Sequence, residues 1–584
     1  MSNSIPNVRQ GDHTVNSRMP LLCLLALFVG TGSALGAWCL LHLIALFTNL
    51  FWHARLSFED VAMKPQALGF WAIAVPVLGA FIVGLMARYG SDKIRGHGIP
   101  EAMETILYGE SRLSAKVAVL KPLSSAISIG SGGPFGAEGP IIMTGGAIGS
   151  LFAQRFRLSA AERKTLLVAG AAAGMTAIFA TPLAAVLLAV EVLLFEWKPR
   201  SLLPVIVAVV VAMSWHSFSA GNDPLFATDV LAPSGLAPLV GALPLGFGIG
   251  VVVAGLSTCL YLIEDGFESL NIHWMWWPAM GAVAVGIGGY VDPRVLGAGY
   301  ENIRMLLSGD LTVQSVALLV SIKAAVWLIA LGSGTSGGVL APFLIIGGAI
   351  GWLAGVALPG ESGFWAMAGM AAVMSSGMRA PLTGVLFAAE ITGRYDVFPI
   401  FLTCSAVAFG VNILITRRSI LTEKIARRGR HIRHEYGVDP LDVLPVRAVM
   451  SASPEVLSDT LTVAQAVAFF ETDAKHRSYP LVDSDGRLVG LVSREDALSW
   501  RQSTFDPASH LHEVKSDAEQ PWVDPETPCS TVAALIIETG VGRIPVISSD
   551  RSVVGLITRQ DLLRARQNHH AQELQPVAAT QKPQ

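Results

Sequence analysis

The chain has 584 residues, with 41 Lys or Arg against 44 Asp or Glu, a formal net charge of −3. Only 15% of the residues are charged and 52% are apolar, with 58 glycines and a mean hydropathy of +0.53, where a soluble chain carries about 25% charge. These values exclude a single soluble enzyme domain, and the absence of a strongly basic domain excludes a nucleic-acid binder.

The shortage of charge is uneven. Residues 435–584 hold 34 charges in 150 residues, and residues 1–434 hold the other 51, so a membrane-like front precedes a soluble-like back. The polar stretch 1–19 reads as a short tail. The apolar run 19–51 contains Gly32-Ser33-Ala34-Leu35-Gly36-Ala37, which has the look of a leader cleavage site. The run continues too far for a leader, whose apolar part is ~7–15 residues, and reads as a tilted span. Further apolar blocks follow at 67–87, 114–128, 164–195, 202–218, 235–263, 274–290, 311–331, 338–358, 363–377 and 380–415. Several are broken by Gly or Pro. Irregular backbone at membrane depth is tolerated only inside protein or along a cavity, as in transporters whose sites are made from helix ends.

The chain repeats itself. Gly130-Ser131-Gly132 through Pro140 to Gly149 matches Gly332-Ser333-Gly334 through Pro342 to Gly351 at an offset of 202. Pro182-Leu183 to Glu191 matches Pro381-Leu382 to Glu390 at 199. The membrane part is therefore expected to be two related halves, about 20–220 and 235–430 of a domain spanning 20–430. A linker is expected at 431–442. In the tail, Pro480, Gly490 and Asp496 recur as Pro545, Gly555 and Asp561 at an offset of 65. The tail thus reads as a tandem α/β module at 443–503 and 519–567, with a disordered polar end at 568–584.

Chemistry concentrates at Gly130-Ser131-Gly132-Gly133-Pro134-Phe135-Gly136-Ala137-Glu138-Gly139-Pro140. Pro140 suits the first turn of a helix. The helix start offers free N–H groups and the positive dipole end, a site for an anion. Glu138 puts a carboxylate there, at membrane depth, where ionisable groups are usually functional. A carboxylate that competes with a mobile anion, and leaves when it takes a proton, is a gate.

This run resembles the gating-glutamate motif of the CLC chloride channel/transporter family. Gly96-His97-Gly98-Ile99-Pro100-Glu101 is similar to that family's first anion-binding loop and Gly338-Val339-Leu340-Ala341-Pro342 to its third; Lys121 falls where the family often keeps an intramembrane lysine. The tail resembles a pair of CBS domains. The resemblance implies an all-α polytopic membrane domain of two inverted-repeat halves with broken helices, followed by the α/β CBS pair. It also implies a homodimer in the cell (plasma or inner) membrane, with one pore per subunit and with the N-terminus and CBS domains cytoplasmic. The anion contacts it implies are Gly96, His97, Gly98, Ile99 and Pro100, then Gly136, Ala137 and Gly139 beside the gate, then Val339 and Leu340, and Leu421.

Four positions depart from the family pattern. His97 stands where a serine commonly binds the central anion; it either donates an N–H to the ion or packs aside. Leu421 replaces a capping tyrosine, and Ala137 a basic residue before the gate. Val192 stands at the inner proton-path position, where coupled members often carry a glutamate, and valine carries no proton. Its neighbour Glu191, about 100° away round a helix, reads as a structural carboxylate mirrored by Glu390.

In the tail, Ser493 with Asp496 and Thr558 with Asp561 resemble CBS nucleotide motifs, which implies an adenine nucleotide (ATP, ADP or AMP). The same residues also suit plain helix N-caps. No required cofactor is expected. With Cys23, Cys39, Cys259, Cys404 and Cys529 scattered, neither a disulfide framework nor a metal site is expected. No HExxH, GxSxG or Walker sequence points to an enzyme. A divalent-cation transporter would want converging carboxylates, which are scarce here. The expectation is a passive chloride channel gated by Glu138 with a cytoplasmic CBS regulatory domain, because Val192 and Leu421 replace the coupling and capping residues; the alternative is a proton-coupled chloride antiporter.

Overall fold

A computed structural model describes residues 18–109, 111–233, 235–309, 311–428, 441, 444–502, 506–514 and 521–574. These form two compact units, divided near residue 435.

The first unit is helical. Among the described residues, six of its helices are long and apolar enough to cross a bilayer, including Met19–His53, Pro199–Ala220, Ala237–Glu268 and Phe398–Ile415. Their lipid-facing sides keep large apolar groups exposed, such as Phe28, Trp38, Val240 and Phe247, which in water would be an aggregation hazard and in lipid needs no cover. Between them lie shorter helices buried on nearly every side, including Glu138–Gln154, Ala160–Phe179, Leu340–Gly355 and Ser362–Met378. Their glycines permit this. Gly145 and Gly170 sit backbone to backbone, as do Gly347 and Gly369, so that a Cβ on any of them would strike a carbonyl of the facing helix.

The two halves mirror each other element by element. Helices Ile99–Tyr108 and Tyr300–Ser308 correspond, as do Ala115–Gly130 and Val313–Gly332, and Glu138–Gln154 and Leu340–Gly355. The short helices Pro182–Leu188 and Pro381–Thr392 complete the symmetry. Each lacks a side-chain cap of its own. Glu390 accepts from the amides of Leu183 (2.9 Å) and Ala184 (2.8 Å), and Glu191 accepts from those of Leu382 (3.3 Å) and Thr383 (2.9 Å) and from the Thr383 hydroxyl (2.6 Å). Each half thus caps the other's helix start with a carboxylate at its positive end.

The second unit is the tandem α/β module. One sheet orders Leu457–Ser458, Ser478–Val482, Leu488–Ser493; the other orders Ser451–Ala452, Val553–Thr558, Arg543–Ile547. The register repeats at the sequence offset of 65: Pro480 faces Leu491, and Pro545 faces Leu556. The copies are interleaved, however. Ser451 pairs with Leu556 in the second copy's sheet, and Val446 buries in the second copy's core. Conversely, Leu511 packs in the first copy's core, its amide bonded to Leu461. Residues 446–452, at the start of the expected first module, thus pack with strands of the second copy. Of the end expected to be disordered, residues 568–574 lie in helix Arg559–Leu574, and 575–584 lie outside the described residues. Of the expected tail at 1–19, residues 1–17 lie outside the described residues, as does most of the linker at 431–442.

Candidate anion and proton site

Three glycine-rich loops meet at the centre of the helical unit. Gly136 and Gly338 face each other as an antiparallel bridge, with the Gly338 amide donating to the Gly136 carbonyl at 3.0 Å; Gly96 and Ser336 form a parallel one. The loops lead into helix starts at Ile99, Glu138 and Leu340. Glycine is required here for physical reasons. Gly98 has φ +88°, a conformation that residues with a Cβ rarely adopt. A Cβ on Gly338 would lie 2.6 Å from the Gly136 carbonyl oxygen and 2.8 Å from Glu138 Oε2.

Those distances also locate the Glu138 carboxyl: it fills the space between Gly136 and Gly338. The residue is fully buried. The Tyr300 hydroxyl donates to Oε1 at 3.2 Å, and Oε2 has no hydrogen-bond partner. No ion pair engages Glu138 among the described residues. A cavity of about 910 Å³ opens on one side of the centre, lined by Gly96, His97 and Glu101 among others, and a second of about 770 Å³ on the other, lined by Ala137, Gly297, Gly299 and Tyr300. The corresponding loops of the two repeats therefore line opposite cavities, as inverted halves require.

Two buried lysines hold these loops. Lys121 donates to the carbonyls of Ile94 (2.8 Å) and Gly96 (2.7 Å) and to Ser336 Oγ (3.1 Å); Lys323 donates to those of Val295 and Gly297, both at 2.9 Å. Ser336 is further engaged by Ser124 and Ser125. Glu101 binds the Gly98 amide (3.1 Å) through one oxygen and Lys424 (2.8 Å) through the other.

The remaining expected residues fall as follows. His97 is buried, with Nδ1 unpartnered. Leu421 is buried against the apolar core and does not line the first cavity; the Tyr261 hydroxyl binds the adjacent Ile420 carbonyl at 2.6 Å. Val192 is buried in a stretch, Ala189–Leu194, where the helix widens to a π-turn. Glu191 is occupied as a cap. We expect Glu191→Gln to lower the thermal midpoint in detergent by several degrees, since a charge-assisted cap weakens by about 1–2 kcal/mol; an unchanged midpoint would mean that the cap does not stabilise the fold. Ser493 and Asp496 bind each other, Oγ and the amide of Ser493 to Asp496 Oδ2 at 2.7 and 2.8 Å; Thr558 and Asp561 do the same at 2.7 and 2.9 Å. Both pairs are helix caps. Tyr300 and Lys323 were not anticipated. Each follows from extending the repeat: Lys323 lies 202 residues after Lys121, and Gly297-Ala298-Gly299-Tyr300 lies 201 after Gly96-His97-Gly98-Ile99.

The family described as "Voltage gated chloride channel" matches residues 78–412, and the CBS domain family matches 446–503 and 515–568. The H(+)/Cl(-) exchange transporter ClcA of Salmonella arizonae is 29% identical over 399 residues, 66% of this chain and 84% of its own. The voltage-gated ClC-type chloride channel ClcB of Escherichia coli O81 is 31% identical over 371 residues, 61% of this chain and 87% of its own. In fold, the chain is similar to a slow cyanobacterial Cl-/H+ antiporter (TM-score 0.61, 22% identity, 71% of this chain and 99% of that one). It is likewise similar to a CLC-type fluoride/proton antiporter (TM-score 0.60, 19% identity, 70% and 98%). The expected passive channel is corrected by these matches. A relative that aligns over 66% of the chain is named an exchanger. The channel expectation rests on Val192 and Leu421, and neither excludes coupling, since a proton can travel by water where no side chain carries it. The chain is a multi-pass membrane protein that belongs to the CLC, or voltage gated chloride channel, family and carries two CBS domains after its membrane helices.

Proposed function

We propose that this protein is a chloride/proton antiporter. The observation that carries the reading is the Glu138 carboxyl, buried between two glycine loops where helix starts converge, with a cavity on either side. A chloride ion can replace that carboxylate only if it moves, and taking a proton removes the charge it shares with the ion. One group therefore serves both substrates. The exchanger name of the ClcA relative supports the same reading. The first-loop backbone at Gly96, Gly98 and Ile99, the Nδ1 of His97, and the amides of Gly139 and Leu340 are the proposed anion contacts. Protons reach Glu138 through water in the first cavity, since Val192 offers no carrier.

Within the same proposal, two copies form a dimer, and the N-terminus and CBS domains face the cytoplasm. The CBS pair either stabilises the assembly or senses an adenine nucleotide. The self-contained caps at Ser493 and Thr558 favour stabilisation.

The deciding test is the reversal potential of reconstituted protein at a fixed chloride gradient and a varied proton gradient. The expected potential moves with the proton gradient. A value that stays at the chloride equilibrium potential would refute coupling.

A further inference from the structure

Arg95 begins the loop that leads to the helix start at Ile99, and its side chain lies on the wall of the 910 Å³ cavity. The guanidinium is clamped against aromatic faces, with Cζ 4.6 Å from the Trp274 ring centroid and 5.8 Å from that of Trp277. Nε is buried and has no hydrogen-bond partner. Across the described residues the Arg95 side chain makes no hydrogen bond and no ion pair. The cations near it differ. Lys424 is paired with Glu101, Arg428 with Glu104, and Arg427 with Asp265. The carboxylates of Asp92, Glu264 and Glu268 line the same cavity and attract Arg95 through space, but none lies within ion-pair distance of it.

A guanidinium offers five donors in a rigid fork. Stacking on tryptophan stabilises the charge and fixes the plane, yet leaves those donors unused. Unpartnered donors cost free energy where water is restricted. Gly334 is consistent with this arrangement: a Cβ there would lie 2.8 Å from Arg95 Nη2, so the absence of a side chain leaves the fork its room. Two residues further along the same loop, His97 presents a second buried nitrogen without a partner.

We propose that Arg95, held by Trp274 and Trp277, forms an anion-docking site in the first cavity, ahead of the helix start at Ile99. Its ligand is a small monovalent anion bound on the open edge of the guanidinium. The site gathers chloride from one side of the membrane only, because the second repeat has Leu296 at the equivalent position, 201 residues on. The proposal rests on anion transport by this chain and is independent of proton coupling.

The test is the chloride dependence of current through the full-length protein in planar bilayers, with chloride varied on each face in turn. In Arg95→Gln the half-saturating chloride is expected to rise about five- to tenfold at one face, as for loss of a charge-assisted bond, with no change at the other. Trp274→Leu, which keeps the charge and removes the clamp, is expected to shift the same face by less. It carries the test if Arg95→Gln does not reconstitute. Unchanged half-saturation at both faces, or an equal rise at both, would overturn the proposal. Wild-type current that ignores the proton gradient would refute antiport and leave this comparison intact.

Discussion

In Glu138→Ala, proton movement coupled to chloride falls to background, while chloride flux persists and loses its dependence on pH. The expectation follows from position. The carboxyl fills the gap between Gly136 and Gly338, and among the described residues Tyr300 is its sole side-chain hydrogen-bond partner. Removing it leaves the two facing loops and the converging helix starts in place, so the anion path remains and the titratable group is gone. Glu138→Gln separates the two roles. It keeps the side chain's size and can keep the Tyr300 contact, and it cannot ionise. Proton movement should again vanish, with chloride flux close to that of the alanine variant, because the neutral amide mimics the protonated carboxyl and no longer competes with the ion for the helix starts. The check is simultaneous recording of chloride and proton flux from proteoliposomes between about pH 5 and 8, the range over which a group of this kind is best read. If pH dependence survives in both variants, Glu138 is not the coupling group.

The legibility of this arrangement in the sequence was uneven, for physical reasons. Glycine runs that must pack backbone on backbone tolerate few substitutes, so the offset of 202 between Gly130–Gly149 and Gly332–Gly351 was visible without coordinates. The Glu191–Glu390 pair was visible for the same reason, since each carboxylate must reach the other half's helix start. Tyr300 was not visible, because its counterpart Ile99 shares neither size nor polarity with it; only the flanking Gly297 and Gly299 mark the match. Arg95 was passed over because its partners, Trp274 and Trp277, lie about 180 residues away in sequence. The channel expectation failed at a different level. Val192 does lie buried in an apolar wall, as the sequence implied. A missing acid removes one carrier and says nothing about water in a cavity of about 910 Å³. In the tail, the 65-residue repeat gave the module, but strand Ser451–Ala452 crosses to the second copy, and two residues carry too little pattern to announce that.

Lys121→Met and Lys323→Met should damage the two faces of the protein separately. Each ammonium is fully buried and bonded to neutral oxygens: two carbonyls and a hydroxyl for Lys121, two carbonyls for Lys323. Among the described residues neither amine lies within ion-pair distance of a carboxylate, although Glu101 attracts Lys121 and Glu138 attracts Lys323 through space, so the larger penalties of a broken contact ion pair do not apply. The orphaned carbonyls do count, at about 1–3 kcal/mol each, and relief of the desolvated ammonium offsets part of that. A net loss of about 2–4 kcal/mol is expected for either variant, read as a lowered midpoint of thermal unfolding in detergent. Function should split. Lys121 fixes Ile94 and Gly96, so its loss should weaken chloride binding from the first cavity. Lys323 fixes Val295 and Gly297 beneath Tyr300, so its loss should weaken binding from the second cavity and loosen the Tyr300 contact to Glu138, lowering the chloride-to-proton coupling. Equal effects on both faces would mean that the lysines only stabilise the fold, and that the mirrored loops do not act as separate anion sites.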